Sequence, residues 1–184
     1  AEARIPGLIG LAYRDGVPTR IAYCYPHGKV FPAELIRKRF HDDETQRPAV
    51  EIALVGFVEA PQDTAVDVYH AAGGVNRDHG TLYLDGRCIG QVGDNTAKSV
   101  VYQLTLTKGV HEVRWVLTGG TFQTNLLKFQ SVATGDLLNV FHTVKQRDET
   151  GAAKADKIVD AQGTVEGWPT VDPKHWIRVA EDRE

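Results

Sequence analysis

Asn76, Asp78 and His79, with Asp94 and Asn95 further along, put carboxylate, amide and imidazole groups into two turn-rich stretches. Oxygen-rich loops of this composition bind hydroxyl groups or a cation; they do not suggest bond cleavage. The same residue types also simply make turns, because Asn and Asp side chains bond their own backbone. His41-Asp42-Asp43-Glu44 is the densest run of potential ligands. Adjacent residues point in different directions in a helix or strand, so few of them converge on one ion, and a solvated acidic loop is the expectation. His27, His70, His111, His142 and His175 lack metal-ligand spacing.

Motifs of covalent and phosphate chemistry are absent from the sequence. The chain's serines are Ser99 and Ser131, and neither sits in a Gly-x-Ser-x-Gly elbow. Gly73-Gly74 and Gly119-Gly120 open no helical segment, so no phosphate-binding loop is read. Acidic pairs for glycoside cleavage depend on a separation that a sequence does not display. Trp115, Trp168 and Trp176 offer faces that can stack on sugar rings. Trp115 lies among Val113, Val116 and Leu117 and reads as core; Trp168, between Gly167 and Pro169, is the better candidate for an exposed aromatic.

The elements that must carry these residues are short strands. Val50 to Ala60 is a strongly apolar strand stopped by Pro61. Thr64–Ala72, Gly80–Leu84, Arg87–Val92, Lys98–Thr107, Val110–Thr118 and Thr124–Val132 follow, parted by turns that include Asp85-Gly86 and Lys108-Gly109. Asp-Gly suits a type I′ hairpin, which needs positive φ at both central residues. Leu8–Tyr13 and Arg20–Tyr25 precede them, and Leu137–Val144 and His175–Val179 come after. Phe31–Phe40, with Pro32 in its first turn, reads as a short helix. Regular short strands with one wet face predict an all-β, antiparallel two-sheet sandwich with at most one short helix. Residues 1–144 form the sandwich, and 145–184 an irregular extension packing back on it.

The 184 residues carry a formal net charge of −3, which gives no basic stripe for nucleic acid. No apolar run reaches the ~20 residues of a membrane span. The start Ala1-Glu2-Ala3 and the lack of Met lead to the expectation of an exported protein with its signal peptide removed, although trimming would look the same. Cys24 and Cys88 permit one disulfide in an oxidising compartment; two separate buried thiols are the equal alternative.

Five fragments, in order, resemble the PA14 family of β-sandwich modules found in toxins, glycosidases and adhesins. They are Pro6-Gly7-Leu8-Ile9-Gly10-Leu11-Ala12-Tyr13; Ile52-Ala53-Leu54-Val55-Gly56-Phe57-Val58-Glu59-Ala60-Pro61; Val66-Asp67-Val68-Tyr69 followed by Arg77-Asp78-His79-Gly80-Thr81-Leu82-Tyr83-Leu84-Asp85-Gly86; Leu106-Thr107-Lys108-Gly109-Val110-His111-Glu112-Val113; and Asn125-Leu126-Leu127-Lys128-Phe129. The likeness spans roughly residues 6 to 142.

The resemblance implies a carbohydrate-binding module, with the loops of Asn76, Asp78, His79, Asp94 and Asn95 at one end of the sandwich. It also implies a packing role for His111. In sugar-binding members a paired Asp-Asp holds Ca²⁺ through a cis peptide, and the ion meets sugar hydroxyls. Here the pair is Asp78-His79, which leaves Asp78 as the candidate ligand. Imidazole is a poor ligand for a hard cation, so Ca²⁺ is weakened and a transition metal gains. The partner implied is a glycan or a neighbouring domain. A structural or protein-interaction domain, or an accessory domain of a glycoside hydrolase, are the alternatives.

Overall fold

The computed structural model describes residues 2–29, 50–72, 78–93, 97–119, 125–160 and 176–180. The expected helix at 31–40, the acidic run at 41–44 and Trp168 lie outside them, as do Asn76, Asp94 and Asn95.

Thirteen strands are described: β1 (Arg4–Pro6), β2 (Leu8–Arg14), β3 (Val17–Tyr25), β4 (Val50–Ala60), β5 (Thr64–Ala71), β6 (His79–Leu84), β7 (Arg87–Gly93), β8 (Ser99–Leu106), β9 (Gly109–Gly119), β10 (Leu126–Ser131), β11 (Asn139–Thr143), β12 (Lys157–Asp160) and β13 (Ile177–Ala180). One sheet runs β12-β3-β2-β4-β9-β6-β7, with β11 bridging β1 to the second half of β4. The other runs β10-β5-β8-β13. The fold is an all-β sandwich of two sheets.

β4 shows why these residues form strands. Ile52, Leu54 and Val58 alternate with exposed or half-buried neighbours, the period-two pattern of a sheet with one face in the core. They meet Val66, Val68, Leu104 and Phe129 of the second sheet in one apolar cluster. Two hairpins are closed by Asp-Gly: Asp15 and Gly16 at φ 51° and 76°, and Asp85 and Gly86 at φ 51° and 79°. Both pairs meet the double positive φ of a type I′ turn.

Three features complete or depart from the expected plan. β12 and β13 join parallel to β3 and β8, so both sheets are mixed at an edge. A helix, α1 (Val144–Glu149), follows β11, opened by a capping box between Thr143 and Gln146. A 3₁₀ turn (Ala152–Lys154) follows it, and Ala152 fills a second small cluster with Ile9, Leu11, Ala22 and Cys24. Finally, Cys24 and Cys88 form no disulfide. Cys24 is buried on β3 and Cys88 exposed on β7, five strand positions apart in one sheet. At roughly 4.8 Å per strand that separation is far beyond the ~7 Å limit between bridged Cα atoms.

Candidate functional site

Register places the candidate site. Ala71 at the end of β5 pairs with Ser99 at the start of β8 and with Leu126 at the start of β10. In the other sheet, His79 at the start of β6 pairs with Gly93 at the end of β7 and with Thr118 near the end of β9. The connections β5–β6, β7–β8 and β9–β10 therefore leave the strands at one end of the sandwich. Asp78 and His79 sit at that end. Asn76, Asp94 and Asn95 belong by sequence to two of these connections but lie outside the described residues.

Asp78 is buried, with 1% of its surface exposed. Two glycines make the space for it. A Cβ on Gly119 would stand 2.0 Å from Asp78 Oδ1, and one on Gly93 would stand 2.2 Å from the Asp78 carbonyl oxygen. Both glycines have positive φ, 146° and 93°, which side chains rarely adopt. The His79 imidazole is half-buried, with Nδ1 2.9 Å from Thr118 Oγ1 on the neighbouring strand. The Asp78 carboxylate is thus packed between strand ends, and the His79 ring is engaged with a hydroxyl.

The described part of this site does not fit a calcium ion. It supplies one carboxylate and one imidazole, against the six to eight oxygens that Ca²⁺ takes. Among the described residues no group of three His, Cys, Asp or Glu side chains could hold a metal.

At the opposite end, the turn of β6 and β7 is locked onto β9. Asp85 Oδ1 accepts from the Glu112 N–H at 2.8 Å, and Asp85 Oδ2 lies 2.7 Å from His111 Nδ1. His111 Nε2 lies 2.8 Å from the Thr107 carbonyl oxygen. Burial is the largest single influence on the His111 pKa and lowers it, but both ring nitrogens face acceptors, and the hydrogen bonds to Thr107 and Asp85 together with the Asp85 charge outweigh it and raise the pKa. His111 therefore works as a polar tie as well as a packing residue.

The polar centre that the sequence did not reveal lies in the core. Trp115 is fully buried, as its neighbours suggested, and its indole faces His70 of the other sheet. His70 also reaches the Tyr102 hydroxyl, and burial holds its imidazole down at a pKa of about 3. The three lie 32 and 45 residues apart in sequence, so spacing carried no signal. Trp176 is half-buried and packs edge-on against Tyr69, ring centroids 5.5 Å apart.

No protein-family model matches this chain, and no curated protein matches it. Solved structures do. The GH31 alpha-xylosidase from Xanthomonas citri is similar with a TM-score of 0.50 and 11% identity, over 77% of this chain and 17% of that one. The PA14 domain of the MpAFP antifreeze protein gives a TM-score of 0.49 and 13% identity, over 78% and 94% of the two chains. A beta-glucosidase from Kluyveromyces marxianus gives 0.45 and 21%, over 84% and 18%. This chain thus spans less than a fifth of either enzyme. At 11% identity the likeness to the xylosidase region speaks to the fold alone. No helix among the described residues is long and apolar enough to cross a membrane.

Proposed function

We propose that this chain is a non-catalytic carbohydrate-recognition module of a larger exported protein, presenting its ligand loops at the Asp78 end of the sandwich. The observation that carries this reading is the register just described. Three connections leave the strands together, beside a carboxylate held by two glycines, which is how a rigid scaffold displays variable loops for binding. The sequence resemblance to PA14 modules supports it, and the likeness to part of a xylosidase supports the sandwich fold on which it rests. In this reading Asn76, Asp94 and Asn95 meet sugar hydroxyls. Asp78 braces the loops from below, or holds a metal if those residues complete its ligand set.

Affinity electrophoresis of the full chain on a polysaccharide panel, with and without Ca²⁺, tests the proposal. Retention on at least one glycan, lost in Asp94→Ala, is expected. Uniform lack of retention would overturn it.

The burial of Asp78 favours a second reading, a structural or protein-interaction domain in which the same end is closed. Light scattering that shows a strict monomer, with no partner captured from the parent protein's other domains, would count against this alternative.

A further inference from the structure

A cavity of about 500 Å³ opens where the chain beyond Thr143 returns to the sandwich. α1 supplies Arg147 to its lining and β12 supplies Ile158, facing Ile5, Leu138 and Val140. The volume is that of a small-molecule site, for which ~300–1,000 Å³ is typical.

Most polar groups of the lining are already engaged. The Cys24 thiol donates to the Pro6 carbonyl oxygen at 3.3 Å. His27 Nε2 accepts from the Phe129 N–H at 2.7 Å, and its ring also bonds the Leu138 carbonyl. Arg147 differs. Its Nε–H donates to His142 Nε2 at 2.9 Å, and His142 Nδ1–H donates in turn to the Gly7 carbonyl oxygen at 2.8 Å. His142 is fully buried, so this relay fixes the imidazole and through it the guanidinium. Among the described residues no carboxylate pairs with Arg147. One edge of its fork is tied to the protein, and the Nη groups remain for a planar anion.

We infer that this cavity binds a small amphipathic carboxylate, its apolar body against Ile5, Val140 and Ile158 and its carboxylate on the Nη groups of Arg147. An apolar wall bearing one oriented guanidinium suits such a ligand better than a sugar, whose many hydroxyls would find few partners here. The site is independent of the Asp78 end, so either proposal can fail alone.

Heptanoate is the probe, with heptanamide as its uncharged counterpart, titrated into the full chain by calorimetry and amide NMR. Heptanoate should bind saturably and shift the amides of Val140 and Ile158. Heptanamide should bind roughly tenfold or more weakly, the cost of a lost charge-assisted pair. Arg147→Gln should bring heptanoate down to the level of heptanamide. Ile158→Trp, which fills the cavity while leaving Arg147 in place, should abolish binding and covers the case in which the Arg147 variant does not fold. Absence of binding up to about 10 mM, equal affinity for acid and amide, or shifts that map elsewhere would each overturn the inference.

Discussion

The indole N–H of Trp115 donates to His70 Nε2 at 2.9 Å, joining the two sheets through the middle of the core. An indole nitrogen only donates, so Nε2 is the bare nitrogen and Nδ1–H donates to the Tyr102 hydroxyl at 3.1 Å. Gly80 leaves room for this chain, since a Cβ there would lie 3.2 Å from both His70 Nε2 and Trp115 Nε1. Trp115→Phe strands His70 Nε2 and His70→Leu strands both the indole N–H and the Tyr102 hydroxyl, whereas the double variant strands the Tyr102 hydroxyl alone of these three. Trp115→Phe should cost about 3 kcal/mol, from an unpaired acceptor and lost volume. The double variant Trp115→Phe with His70→Leu should cost less than the sum of the singles. Urea unfolding of the four proteins measures this, and strict additivity would refute the coupling.

Acid should unfold the protein through the same histidine. The folded pKa of His70 is lowered by burial from 6.5 to about 3. Between those values the unfolded chain binds a proton that the native state refuses, so stability falls as pH drops below about 6.5. Above that pH the group contributes nothing. At about 1.4 kcal/mol per pH unit, His70 alone accounts for on the order of 3 kcal/mol lost by pH 4. His27, held by burial at about 3 like His70, and His142, lowered by burial, act in the same direction. His111 acts in the opposite sense: its raised pKa gives stability at low pH that is lost as pH rises through the folded value. His70→Gln keeps an acceptor for Trp115 without titrating. Its stability should fall less steeply between pH 6 and 4, by close to one proton; a slope equal to the wild type's would refute the assignment.

Gly119 should tolerate no side chain while Asp78 is present. Its φ of 146° is unfavourable for an alanine, and the new Cβ would meet the Asp78 carboxylate. Gly119→Ala is expected to lose about 2 kcal/mol or more. Adding Asp78→Ala should recover part of that, because it removes the clash with the carboxylate but neither the contact of the new Cβ with the Asp78 Cα at 2.7 Å nor the backbone strain. Thermal unfolding of both variants checks the pairing, and a double variant no more stable than Gly119→Ala would show that the clash is not the cause.

What the sequence disclosed follows from what its signals encode. Period-two alternation is local, so β4 is read with the bounds Val50 and Ala60 that the structure shows. Asp-Gly dipeptides likewise declare their turns. Edge pairing is not local: Lys157–Asp160 has two apolar residues and is a strand because β3 offers an unpaired edge. α1 is too short for an apolar stripe, yet the capping box of Thr143 and Gln146 is present in the sequence and is the signal that finds it. Of the five candidate site residues, the structure describes Asp78 and His79 and brings both to one strand end. The core triad of His70, Tyr102 and Trp115 was beyond reach, since hydrogen bonds between sheets leave no trace in spacing.

The chain beyond Thr143 should prove inseparable from the sandwich. Ala152 is fully buried against Ile9, Leu11, Ala22 and Cys24, on the face of the large sheet opposite the main core. Without that cover this face would stand in water, and apolar burial is the main favourable contribution to folding. Ala152→Asp places a charge in this apolar cluster, and a buried carboxylate there must either ionise unpaired or take up a proton at a raised pKa. A loss of roughly 2–4 kcal/mol is expected at neutral pH, shrinking as pH falls toward 5 and the new carboxyl is neutralised. Denaturant unfolding at pH 7.5 and 5.5 measures both the loss and its sign. A variant as stable as the wild type at pH 7.5 would mean that the 3₁₀ turn lifts off at little cost, and that the sandwich folds without it.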